Sequence, residues 1–153
     1  VGFRSTLERY ASGEPITASE GGAALRLAFA GLFFGQTTAA LIVALVVALV
    51  TDAPGGGNRI LGTILVVLAS IQGPAGLAAA MAPLPEPEEM RAAALQRSLL
   101  AAVLLSTPAW YLAFLFVTGG SGWPIYAVLA LLVTYWVVGV LLATRLGVRA
   151  AEH

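Results

Sequence analysis

Apolar residues fall in four long runs, near Leu25–Val50, Ile60–Ala80, Ser98–Thr118 and Pro124–Thr144, separated by short polar or glycine-rich stretches. At about 1.5 Å per residue, each run is long enough as a helix to cross a hydrocarbon core of roughly 30 Å. The pattern therefore predicts four membrane-spanning helices. Leu25–Val50 would be roughly 39 Å long, so it must tilt or project beyond the bilayer. Its length, with no short basic, apolar and cleavage-site sequence before it, marks it as a mature span rather than a signal peptide.

The stretches between the runs set the connectivity. Thr51–Arg59 and Gly119–Trp123 are rich in glycine and turn residues, which favours two tight helical hairpins. Pro83-Leu84-Pro85-Glu86-Pro87 cannot continue a helix, but Pro87 suits the first turn of a new one, with Glu88 and Glu89 at its positive end. A helix from Pro87 to Thr118 would stand about 48 Å long. It would carry Glu88 and Arg91 at i,i+3 above the membrane as a cytoplasmic contact. The expected fold is an all-α, four-span transmembrane helical bundle made of two adjacent helical hairpins. Its expected parts are an N-terminal arm over 1–22, a first hairpin over 23–80, a connector over 81–97, a second hairpin over 98–146 and a tail over 147–153. In the arm, Phe3, Leu7 and Tyr10 can supply interfacial apolar contacts.

Composition agrees with a membrane chain: of 153 residues, 59% are hydrophobic and 10% charged, and mean hydropathy is +0.89. Formal net charge is 0, so no overall field attracts nucleic acid. The balance hides an asymmetry. Arg4, Arg9, Arg26, Arg91, Arg97, Arg145 and Arg149 flank the runs on one side and only Arg59 lies on the other. By the positive-inside tendency, both termini and the central connector are cytoplasmic. The expected location is a cell membrane such as a cell inner membrane.

Candidate chemistry is sparse. There is no cysteine and one histidine, His153, so thiol nucleophiles and the common zinc and iron–sulfur ligand sets are missing. None of the four runs contains Asp or Glu, which weakens a proton-coupled exporter. No catalytic constellation stands out and no metal site is expected; Glu86, Glu88 and Glu89 read as a helix entry or partner contact.

The polar groups inside the runs are more informative. Gln36, Thr37, Gln72, Ser106, Thr107, Thr134 and Tyr135 lie at similar depth, about 12–18 Å from the cytoplasmic ends. They form a candidate polar layer that joins helices or holds a polar ligand. Gly31 and Gly35, at i,i+4, offer a seam where another backbone can approach closely, beside Phe33 and Phe34. Trp110, Tyr111 and Trp136 are further candidates for helix or partner packing. Pro74, between Gly73 and Gly76, and Pro108 predict local bends.

These features lead to a noncatalytic integral-membrane accessory or assembly subunit that packs against a larger membrane-protein complex. One alternative is a small oligomeric transporter or channel using Gln36, Gln72, Thr107 and Tyr135. Another is a subunit that binds a lipophilic cofactor. Expected partners are membrane lipids, the larger complex and, in an oligomer, further copies of the chain. The cofactor is undefined, with bound lipid suited to the apolar surface.

Overall fold

The computed structural model describes residues 8–10, 12, 14, 17–50, 59–82, 90–118 and 122–149, apart from the side chains of 18, 90, 91 and 146–149. Four long helices carry these residues: α1 (Ala18–Val50), α2 (Arg59–Met81), α3 (Met90–Val117) and α4 (Trp123–Arg149). All four are long and apolar enough to cross a membrane. The protein is thus an all-α, multi-span membrane bundle, with no strand among the described residues.

α1 starts seven residues before the apolar run because the sequence supplies a helix cap there. The Thr17 amide donates to Glu20 Oε2 at 2.9 Å, and the Glu20 amide donates to Thr17 Oγ1 at 3.3 Å. This reciprocal Thr-x-x-Glu capping box satisfies amides that a helix start would otherwise leave open. Arg9 reinforces the corner, its guanidinium lying 3.3 Å from Glu14 and 3.6 Å from Glu20. At 33 residues, α1 is roughly 50 Å long, so its capped turns project beyond a hydrocarbon core. Just before it, Tyr10 is buried with Ala24 and Leu25 against Ala94 and Leu95 of α3. Of the arm's three expected apolar contacts, Phe3 and Leu7 lie outside the described residues.

The helices do not assemble in simple hairpin order. α3 packs most extensively on α1 and next on α2, α4 touches the other three, and the backbones of α1 and α2 do not approach each other. α3 and α4 therefore separate α1 from α2. The second hairpin is a packed pair, whereas the first is adjacent in sequence only.

The buried face of α2 explains that placement. It consists of Gly62, Leu65, Ala69, Gly73 and Gly76, a stripe that is mostly backbone. In lipid, apolar area gives little drive for helix association, and close approach over small residues supplies dispersion contacts instead. A methyl on Gly62 would stand 2.8 Å from Pro124 of α4, and one on Gly76 would stand 3.1 Å from Leu104 of α3. α2 is therefore seated against both helices of the second hairpin. On the opposite flank, Gly139 of α4 admits Phe33 of α1, where an added methyl would lie 2.8 Å from the ring.

Around these contacts Phe29, Phe33, Ala101, Leu105 and Tyr135 build one core cluster, and Leu65, Leu112, Leu115 and Val128 build another toward the glycine-turn end. Pro74 and Pro108 both lie within continuous helices, as lipid-embedded backbone tolerates when neighbours resatisfy freed groups. At the arginine-rich end, Arg97 of α3 donates to the Ala82 carbonyl just past α2, at 3.0 Å. A cation there complements the negative helix C-terminus.

Candidate functional site

The candidate polar residues divide into contacts between helices and contacts within one helix. Ser106 Oγ of α3 donates to Gln36 Oε1 of α1 at 3.1 Å. Gln72 Nε2 of α2 donates to the Tyr111 hydroxyl of α3 at 2.7 Å. The Tyr135 hydroxyl of α4 donates to the Ala69 carbonyl of α2 at 2.6 Å. Three bonds thus link α1 to α3, α2 to α3 and α2 to α4. Hydrogen bonds of this kind join helices where no water competes.

Thr107 and Thr134 behave differently. Each hydroxyl donates to a carbonyl four residues earlier, Thr107 to Val103 at 2.7 Å and Thr134 to Ala130 at 2.8 Å. Their polarity is absorbed by their own helices, and Thr134 faces outward. Thr37 is buried, yet its hydroxyl has no hydrogen-bond partner, and the same holds for Gln72 Oε1. The predicted layer is therefore a set of local pairs together with two unpaired buried oxygens.

Tyr111 belongs with this polar set as well as with the aromatics. Its ring is half-buried while its hydroxyl holds Gln72. Chain position alone could not reveal that role, because Gln72 and Tyr111 meet only once α2 packs against α3. Ser106 is fully buried, and its single hydroxyl proton is shared between Gln36 Oε1 and the Val103 carbonyl, each at 3.1 Å, so it serves both its own helix and α1.

The packing candidates also separate into inward and outward groups. Phe33 is fully buried, stacked on Phe29 with ring centres 5.7 Å apart. Phe34, half-buried, meets Trp136 of α4 edge-on at 5.4 Å. Trp110 and Trp136 are exposed at 40% and 48%, which places both rings at the boundary that lipid or another protein would meet. Gly31 and Gly35 point outward, and a methyl on either would meet nothing within 4 Å. Among the described residues, no helix uses that seam. The close intramolecular approaches instead use Gly62, Gly73, Gly76 and Gly139. A readable signal for two of these, Gly62 and Gly76, was the seven-residue spacing of small residues Gly62, Ala69 and Gly76, which repeats one helix face.

An open apolar groove lies where α1 and α2 stand apart over α3. Its walls include Val43, Leu65, Trp110, Tyr111 and Phe114, and it encloses about 440 Å³. The Glu88–Arg91 contact lies outside the described residues, since Glu88 and the Arg91 side chain are not among them. Among the described residues, no three His, Cys, Asp or Glu side chains come together in a metal-binding group. Comparison with protein-family models, characterised proteins and solved structures gives no match.

Proposed function

We propose that this chain is a noncatalytic integral-membrane accessory or assembly subunit that packs against a larger membrane-protein complex. The carrying observation is the outward seam at Gly31 and Gly35, where an added methyl meets no atom of the described residues within 4 Å. Such a seam lets a partner backbone approach as closely as α2 approaches α3 and α4. The interior supports the same reading, because Gln36, Gln72 and Tyr135 are engaged with neighbouring helices. A transport route would have to free those groups. The arginine-rich end is assigned to the cytoplasm on the charge asymmetry.

The test is purification from the native membrane in mild detergent, comparing wild type with Gly35→Leu. The leucine should release a copurifying membrane complex while the isolated chain keeps its unfolding midpoint. Unchanged association in Gly35→Leu and in a Gly31→Leu/Gly35→Leu double variant would refute the reading.

The groove favours one second reading, the binding of a lipophilic molecule over α3. Its signature is a small apolar molecule that copurifies with wild type and is lost when Phe114→Ala reshapes the wall. A purified chain that carries only bulk membrane lipid would remove this reading.

A further inference from the structure

Midway along α2, the Tyr135 contact coincides with a break in the helix's own hydrogen-bond ladder. Pro74 has no N–H to offer the Ser70 carbonyl, so that rung is missing inside a helix that continues to Met81. One residue earlier, the Ala69 carbonyl accepts from the Tyr135 hydroxyl at 2.6 Å. Gly73, whose amide would ordinarily bond that carbonyl, lies against the Tyr135 ring and hydroxyl so closely that a side chain there would overlap them. A side chain from α4 is thus inserted beside two consecutive rungs of α2, a recognised cause of helix bending.

The two halves of α2 are anchored separately. On the Arg59 side, Gly62 sits on Pro124, and Gln72 is bonded to Tyr111. On the Met81 side, Gly76 rests on Leu104 and Leu105 of α3, and Arg97 holds the Ala82 carbonyl. Between these anchors, the sequence Gly73-Pro74-Ala75-Gly76 combines a lost donor with two residues of wide backbone freedom.

We propose that α2 is a jointed helix with its joint at Gly73–Pro74, and that Tyr135 is the latch that fixes the joint. The hydroxyl bonds the Ala69 carbonyl, one rung before the one that Pro74 leaves open, while the ring sets the distance between α2 and α4. A displacement of α4 thereby changes the angle between the two halves of α2.

The 153-residue chain contains no cysteine, so pairs of spin labels can be introduced into it without background in bilayers. One pair joins Leu27 of α1 to Met81 of α2, both exposed; a second joins Leu45 of α1 to Ile64 of α2, also exposed. Tyr135→Phe removes the hydroxyl and keeps the ring. A change in bend of about 20° over a half-helix of roughly 10 Å moves its end by about 3–4 Å. The expected result is a shift or broadening of that size in the Leu27–Met81 distance, with the Leu45–Ile64 distance unchanged. Pro74→Ala in the Tyr135→Phe background restores the missing donor and should narrow the distribution again. The proposal is overturned if Tyr135→Phe leaves both distances unchanged, if both broaden alike, or if Pro74→Ala fails to restore the first.

Discussion

Adding a single methyl group at different glycines should sort the interior of the bundle from its outer seam. At Gly139 the new carbon would stand 2.8 Å from Cε1 and Cζ of Phe33. Ordinary carbon contacts lie at about 3.5–4.0 Å, so the ring must withdraw by roughly 0.7–1.2 Å. Phe33 has no free direction. It is fully buried, with Phe29 stacked 5.7 Å away and Phe34 edge-on at 5.1 Å. Overpacking at such a site costs about 1–3 kcal/mol, and alanine's helix preference over glycine returns up to about 1 kcal/mol. Gly139→Ala should therefore lose about 1–2 kcal/mol net, a 5- to 30-fold fall in the folded-to-unfolded ratio.

Gly73→Ala should lose more, because its methyl would overlap the Tyr135 ring itself. Gly31→Ala and Gly35→Ala meet open space and should be neutral or up to about 1 kcal/mol stabilising in the isolated chain. The assay is equilibrium unfolding of the purified protein in mixed micelles, followed by helical circular dichroism across a denaturing-detergent titration. Phe33→Leu supplies the control: in its background the Gly139 methyl should cost less, giving a measurable coupling between the two sites. The reasoning fails if Gly35→Ala destabilises the chain as much as Gly139→Ala, or if Gly139 and Phe33 show no coupling.

Three further outcomes follow from the polar contacts. Gln72→Leu leaves the Tyr111 hydroxyl without its 2.7 Å partner, and Tyr111→Phe strands the amide, so each should cost about 0.6–1.7 kcal/mol. The Gln72→Leu/Tyr111→Phe double variant should recover most of that loss, because both polar groups are gone; additive losses in unfolding titrations would contradict the pairing. Thr37→Val removes a buried hydroxyl without a partner, whose desolvation costs about 1–3 kcal/mol, so stability should hold or rise in the same assay; a clear fall would show that the hydroxyl has an acceptor. Thr17→Ala opens the capping box at a cost of about 0.5–2 kcal/mol. Amide exchange should quicken in the first turn of α1 and stay unchanged near Ala40.

Four spans were legible because they depend on position along a helix. A run of apolar residues fixes where a span lies, and a fixed rise per residue gives the depth of Gln36, Gln72 and Tyr135 within it. Which helix each residue faces depends on rotation about the helix axis and on the order of helices in the bundle. Neither is encoded locally. Short turns suggested that α1 and α2 would pair, yet the small buried face of α2 is used by α3 and α4. The start of α1 was different: Thr17 and Glu20 carry a local capping signal that the longer apolar run from Leu25 obscured. Tyr111 was read by its ring, although its hydroxyl ties α3 to α2.

The two kinds of glycine carry the functional argument. At Gly62, Gly73, Gly76 and Gly139 the missing side chain is matched by a neighbour already in contact, so these positions are used up in holding the monomer together. Gly31 and Gly35 omit side chains on a helix face that meets only its surroundings. Leucine or valine would serve equally well against fluid lipid, as they do at the exposed Leu45, Val46 and Leu49 farther along α1. Two small residues one turn apart gain an energetic purpose only when a rigid surface comes close enough to exploit the missing atoms. Lipid tails alone do not require that closeness, whereas a partner helix does, and this is why substitution at Gly35 rather than at the aromatic surface is the sharper test of assembly.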